Sequence, residues 1–260
     1  MQDKLWTCIC QEAAEHAKSE PLLASFLHAS ILNHADLSAA LSFLLAGKLD
    51  SATANSLTIR EVIEAAHADD PSIVASAVCD TAAFYERDSA CEHYSTPLLF
   101  YKGYQALQAY RIAHWLWQQG RTSMALFFQH RISVVFSVDI HPAAVLGSGI
   151  LLDHGTGIVI GQTATVGNNV SIMQSVTLGG TGKESGDRHP KIEAGVLIGA
   201  GSKVLGNIRV GEGAQIISGS VVLKEVPSHT LVAGVPASVI GKPSCDSPAQ
   251  SMDQSRCMEP

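Results

Sequence analysis

No apolar run in this 260-residue chain reaches the roughly eighteen residues needed to span a bilayer, so a transmembrane helix is excluded. The opening stretch, Met-Gln-Asp-Lys-Leu-Trp-Thr-Cys-Ile-Cys, has no continuous apolar segment, and a secretory signal is not expected. Cations are scarce. Seventeen Lys and Arg against twenty-four Asp and Glu leave a formal charge of −7, which excludes the basic footprint of a nucleic-acid binder. The six cysteines, at 8, 10, 79, 91, 245 and 257, include no CxxC pair. That argues against a zinc or dithiol site and for free thiols in a reducing compartment. Cys8 and Cys10 form a C-x-C pair with no second pair nearby. The expectation is a cytoplasmic protein.

What the chain does have is a period. Every sixth residue from Ile192 is a branched aliphatic: Ile192, Ile198, Val204, Val210, Ile216 and Val222. A helix repeats near 3.6 and a half-buried strand at 2, whereas a fixed longer period marks a stacked repeat. Compact residues follow four positions later, among them Val196, Ser202 and Ala214, and glycines fall between them at the bends. The pattern describes a parallel β-helix with one inward ladder of aliphatics. The same phase runs upstream through Ile140, Leu146, Leu152 and Ile158. After a two-residue slip it continues through Ile160, Val166, Ile172 and Leu178. It fails across 179–191, a polar loop extruded from the coil, where binding groups tend to be mounted.

The first half carries helix punctuation instead. Asp36 is placed to cap a helix that stops at Gly47, and Thr58 to Glu61 reads as a capping box. Asp70-Pro71 and Thr96-Pro97 open further helices, with Gly103 expected to break or kink the latter. The division expected is a helical domain over 1–136, a β-helix domain over 137–241 and a flexible tail over 242–260, Ser-, Pro-, Gln- and Asp-rich. His114, Trp115 and Trp117 fall within a helical apolar pattern and read as packing residues. The polar linker from Arg87 to Thr96 is where a carboxylate can face a site.

Three clusters carry chemistry: Asp139-Ile-His141, Asp153-His154-Gly-Thr-Gly and Asp187-Arg188-His189. With three hexapeptides to a turn, Asp139 and His154 are expected to meet on adjacent coils. An Asp beside a His fixes one tautomer and leaves the other nitrogen to take a proton from an alcohol or amine. His141 and His229 read as turn residues. Lys183 follows a glycine, but Glu184 comes next and the Walker pattern is absent. Between Gly179 and Arg209 five cations stand against three anions, a locally positive stretch suited to a polyanion such as coenzyme A, or simply a solvated face.

At these residues the chain resembles a known family. The hexapeptide ladder is similar to that of the left-handed β-helix acyltransferases. Tyr94-Ser-Thr-Pro-Leu-Leu99, Ala106-Leu-Gln-Ala-Tyr-Arg-Ile112, Val138 to Ala144, Leu152-Asp-His154, Gln174 to Lys183, Gly186 to Ile192 and Ala233-Gly-Val-Pro-Ala237 resemble bacterial serine O-acetyltransferases. The resemblance implies an α+β chain, a helical N-terminal domain followed by a left-handed parallel β-helix and a flexible tail. It implies transfer of acetyl from acetyl-CoA to the hydroxyl of L-serine in cysteine biosynthesis, with L-cysteine as an inhibitor and no metal. His154 matches the general base and Asp139 its orienting carboxylate. Asp88 and Asp153 match the acids that hold the serine ammonium, and Arg188 and His189 the groups around its carboxylate and hydroxyl. Coenzyme A is expected along a groove between neighbouring solenoids, near Gly180, Lys183, Ala200 and Lys242, in trimers paired into hexamers. The family docks into O-acetylserine sulfhydrylase through a tail ending in isoleucine, an anchor that Arg256-Cys-Met-Glu-Pro260 does not match. An amino-sugar acceptor, a γ-type carbonic anhydrase with three convergent imidazoles on zinc, and a non-catalytic scaffold are the competing readings.

Overall fold

The computed structural model describes residues 2–182 and 185–254. In the first half, α1 (Gln2–Ser19) leads through an irregular stretch containing α2 (Ala24–Leu27) to α3 (Leu37–Leu49) and α4 (Ser56–Asp69). Then come α5 (Ser72–Arg87), α6 (Ser95–Phe100), α7 (Lys102–Gln118) and α8 (Thr122–Phe136). Asp36 caps α3, accepting from Ala39 N at 2.8 Å. That helix runs through Gly47 to Leu49, whose burial draws it on past the glycine. The cap of α4 is Asn55, which accepts from Thr58 N at 3.0 Å, in place of the expected Thr58–Glu61 box. The break expected at Gly103 falls at Tyr101, whose backbone is extended (φ −92°, ψ 107°) between α6 and α7.

The second half is a coil of short strands. They are β1 (Val138–Ile140), β2 (Val145–Leu146), β3 (Leu151–Leu152), β4 (Ile158–Ile160), β5 (Thr165–Val166), β6 (Ser171–Ile172) and β7 (Thr177–Gly179). Past the extruded loop come β8 (Lys191–Ile192), β9 (Leu197–Ile198), β10 (Lys203–Leu205), β11 (Arg209–Val210), β12 (Gln215–Ile216) and β13 (Val221–Val222). A final pair, β14 (Leu231–Gly234) and β15 (Ala237–Gly241), closes the coil. The strands stack into three sheets, β1-β4-β7-β10-β13, β2-β5-β8-β11 and β3-β6-β9-β12-β14-β15. All pairings are parallel except the closing β14–β15 hairpin. The cross-section is therefore a three-sided prism. Its interior is the six-residue ladder, with Ile140, Leu152, Ile160, Val166, Ile172, Leu178, Ile192, Ile198, Val204, Val210, Ile216 and Val222 all buried. Each such side chain contributes about 1.5–3 kcal/mol relative to exposure.

The register explains the slip in the period. Leu152 pairs with Ile172 and Ile160 with Leu178. Eight residues separate the first member of each pair and six the second, so the two extra residues lie in the turn 153–157. The slip is the turn that carries His154. In the same way, Val166 pairs with Ile192 across the eight-residue excess of the loop between β7 and β8.

Buried polar groups join the helices to the first coils. The Asp80 carboxylate, fully buried, accepts from Arg111 (2.7 and 3.0 Å), from Gln108 (3.0 Å) and from the backbone N of Ile150 (2.9 Å). Arg87 at the end of α5 donates to Ser171 and Asn169, each at 3.2 Å. The stretch after Lys242, expected to be a flexible tail, lies against the coil as far as residue 254. There α9 (Pro248–Ser251) buries Pro248 and Ala249. Ser171 Oγ donates to Ala249 O (2.7 Å) and Gln215 Nε2 to Asp253 O (2.9 Å). Polar composition does not report such docking, because backbone carbonyls and two small apolar residues make it. Residues 255–260, and with them the terminal sequence Arg256–Pro260, lie outside the described residues.

Candidate active site

The turn after β3 is a tight one. His154 (φ 55°), Gly155 (φ 73°) and Gly157 (φ 76°) all take left-handed backbone. Gly157 N is held by Ser137 O at 2.7 Å and Thr156 O by Ser175 N at 2.8 Å. A positive φ is uncommon for a residue with a side chain, and here it turns the imidazole outward. The His154 side chain is 72% exposed, Asp153 beside it only 17%, and the two stand 3.9 Å apart as an ion pair when the imidazole is charged.

The turn forms one wall of a cleft of about 610 Å³. The opposite wall is the end of α5 with Asp88 and the α6–α7 break with Tyr101 and Lys102, floored by Phe84 and Phe100. Burial raises the pKa of the Asp153 carboxyl; His154 opposes the rise, and Asp88 adds to it. Asp88 and Asp153 are thus two carboxylates facing one space, which suits an ammonium group placed between them. Burial raises the pKa of the Tyr101 hydroxyl to about 12, with further contributions from the nearby Asp88 and Cys91.

Arg188 and His189 lie on a different edge of the prism, where the chain passes from β7 through the extruded loop to β8. The His189 ring is almost wholly buried, and its Nδ1 faces Thr163 Oγ1 at 2.8 Å and accepts from Thr163 N at 3.2 Å. That assigns the proton to Nε2. Burial, then Arg188 and Lys191, lower its pKa, so the ring is a neutral N–H donor near neutral pH. Arg188 is steadied by Gln162 (3.0 Å) and the Gly186 carbonyl (2.9 Å). His141, read from sequence as a plain turn residue, is electrostatically coupled to this cluster and to Asp139; burial lowers its pKa.

The expected contact between Asp139 and His154 is not made within the chain. The first coil is twenty residues long, so the coil neighbour of Asp139 is Val159. Its carboxylate instead accepts from Gln129 Nε2 at 2.7 Å. The residues expected near coenzyme A divide between the same two edges. Ala200 lies on the edge of the His154 turn, its carbonyl accepting from Gly219 N, and Gly180 opens the loop that carries Arg188. Lys242 follows β15, and Lys183 lies outside the described residues. Among the described residues no three His, Cys, Asp or Glu converge as metal ligands, and no helix is long and apolar enough to cross a membrane. A second cleft of about 420 Å³, against α7, contains none of the expected site residues. Tyr101 and Lys102 are site residues that the periodicity missed; the signal was an aromatic and a cation at a helix break.

A helical half feeding a hexapeptide-repeat prism, with a carboxylate pair and an outward imidazole at one corner, defines a β-helix protein whose cleft is lined by Asp88, Asp153 and His154. Comparison with known proteins narrows this. The family profile described as serine acetyltransferase, N-terminal, matches residues 5–109. The serine acetyltransferase of Escherichia coli strain K12 is 60% identical over 250 residues, 96% of this chain and 92% of the relative. The crystal structure of serine acetyltransferase from Vibrio cholerae is 60% identical and superposes with a TM-score of 0.97, covering 98% of this chain and 99% of that one. A serine acetyltransferase solved in complex with cysteine is 54% identical with a TM-score of 0.96, covering 98% and 99%. The chain belongs to the serine acetyltransferase family.

Proposed function

We propose that the protein transfers the acetyl group of acetyl-CoA to the hydroxyl of L-serine, giving O-acetyl-L-serine and CoA. The observation that carries this reading is the cleft in which Asp88, Asp153 and His154 come together: two carboxylates for an ammonium, and an imidazole within reach of a hydroxyl one carbon further along. Related serine acetyltransferases are solved with serine, cysteine and CoA bound, which supports the same ligands here.

In this reading Asp88 and Asp153 hold the serine ammonium. His154 takes the hydroxyl proton as the serine oxygen attacks the thioester carbonyl; a serine hydroxyl is a poor nucleophile without such a base. The new C–O bond forms, the C–S bond breaks, and the proton passes from His154 to the departing thiolate. Arg188 pairs with the serine carboxylate, and the neutral His189 Nε2–H is a donor for oxygen carrying developing charge.

The two groups of residues occupy two edges of one prism, so we infer that a site is completed by a neighbouring subunit. A cyclic trimer sets one edge of each solenoid against the other edge of the next. His154, Asp88, Asp153 and Ala200 then face the Arg188, His189, Asp139 and Gly180 of a neighbour, with coenzyme A in the groove between them. Asp139 would orient His154 across that groove. Pairing of trimers into hexamers, a cytoplasmic setting and inhibition by L-cysteine in the serine site belong to the same proposal.

Thiol release from acetyl-CoA, followed with a disulfide reagent, tests the function. Release that requires L-serine and falls at least about a hundredfold in His154→Ala supports it. Release indifferent to serine points to another acceptor, and none at all from folded oligomer removes the reading.

A further inference from the structure

Gln129 holds one of the two oxygens of Asp139. Its Nε2 donates to Oδ1 at 2.7 Å, and among the described residues Oδ2 receives no hydrogen bond. The carboxylate stands on the outer face of the prism, because its strand neighbours Val138 and Ile140 are buried inside. The coil neighbour on that face, Val159, is an exposed aliphatic with no donor to offer. His141, two residues on, is engaged elsewhere: its Nδ1 accepts from Ala143 N at 3.0 Å and its ring sits edge-on to Trp117, centroids 5.1 Å apart. The donor itself is mounted on a rigid element. Ala125, Phe128, Ile132 and Phe136 bury one face of α8, and the chain turns at Ser137 (φ 58°, ψ 35°) straight into β1. Helix and strand thus set Gln129 and Asp139 side by side across a single residue of turn.

We propose that Gln129 is a positioning residue for the proton-accepting pair, fixing the Asp139 carboxylate so that its second oxygen meets the imidazole of His154 from a neighbouring subunit. The role rests on the shared-site reading of the proposed function. An aspartate turns about a broad, roughly two-fold terminal torsion, so without a second anchor its oxygens have no fixed direction. A primary amide supplies that anchor without carrying charge. One oxygen is pinned, and the full negative charge remains for the imidazolium that forms as the acceptor hydroxyl loses its proton. A lysine or arginine at the same place would pin the carboxylate and oppose that charge. In this arrangement Gln129 touches neither the acceptor nor coenzyme A, so it acts on the proton transfer and not on binding.

Gln129→Leu keeps the bulk of the side chain and removes the donor. The expected result is a fall of about tenfold in kcat, the size of one hydrogen bond to a charged group, with KM for L-serine and for acetyl-CoA within about twofold of wild type. In an Asp139→Ala background the same substitution should cost less than about twofold, since no carboxylate is left to orient. Gln129→Glu, which cannot donate at neutral pH, should match Gln129→Leu and stands in for it should Gln129→Leu fail to fold. Unchanged kcat in the Gln129 variants would overturn the proposal. So would a loss that persists undiminished in the Asp139→Ala background, which is what a merely structural role in α8 would give. A fully active Asp139→Ala protein would overturn the shared proton-accepting pair and the role of Gln129 with it. An impaired Asp139→Ala protein beside an unaffected Gln129→Leu protein would overturn the role of Gln129 alone.

Discussion

Gly103, in the first turn of α7, and Gly155, in the turn that carries His154, meet backbone to backbone. A β-carbon on Gly155 would lie 2.9 Å from Gly103 Cα, and one on Gly103 would lie 2.0 Å from the Leu152 carbonyl oxygen. The two walls of the cleft touch at these residues, so their spacing is set by the absence of two methyl groups. Gly103→Ala is expected to push the turn away from Asp88. Overpacking of this kind costs about 1–3 kcal/mol of stability. Activity should fall further than stability, since misplacement by an ångström costs about a hundredfold. Paired thermal melts and kcat/KM measurements check this; equal activity in a folded Gly103→Ala protein would contradict it.

The buried Asp80 joins α5, α7 and the start of β3, the strand that feeds the His154 turn. Asp80→Ala leaves Arg111, almost wholly buried, without its carboxylate. Breaking one side of such a pair is expected to cost about 3–5 kcal/mol, read as a lower urea midpoint at unchanged slope.

Much of this was legible in sequence. The six-residue period gave the inward ladder from Ile140 to Val222, Leu146 alone in it being half-buried, because a solenoid repeats its environment and so its residue choice. What the period could not give was which coil was irregular. The slip before Ile160 was visible, but only the pairing of Leu152 with Ile172 and of Ile160 with Leu178 locates it in the His154 turn. The expected Asp139–His154 contact failed because fifteen residues fall short of one coil: twenty residues on, the neighbour of Asp139 is Val159. Tyr101 was hidden for a different reason: its place in the cleft depends on a helix break stabilised by Gln105, a contact no local pattern announces.

His67 is buried with Nδ1 beside Ser38 Oγ (3.0 Å) and Ser42 Oγ (3.3 Å), and burial lowers its pKa to about 4. An unfolded histidine titrates near 6.5, so between that pH and about 4 the unfolded chain takes up a proton that the folded chain does not. Stability is therefore expected to fall as pH drops through this window, by up to about 1.4 kcal/mol per pH unit. Urea titrations at several pH values check this, and His67→Gln should flatten the slope.

Removal of residues 244–260 is expected to leave Ser171 Oγ and Gln215 Nε2 without the carbonyls of Ala249 and Asp253. The loss is about 1–3 kcal/mol, or several degrees in Tm. Differential scanning calorimetry of the shortened chain measures it.

In the proposed trimer each site is divided between two edges of the prism and closed by a neighbouring subunit. Neither His154→Ala nor Arg188→Ala protein should transfer acetyl to serine alone. Mixed by co-expression in equal amounts, they should recover about a quarter of wild-type activity, because one site in four draws an intact His154 from one subunit and an intact Arg188 from its neighbour. Recovery near that level is the predicted result; activity no higher in the mixed oligomers than in either variant would contradict a shared site.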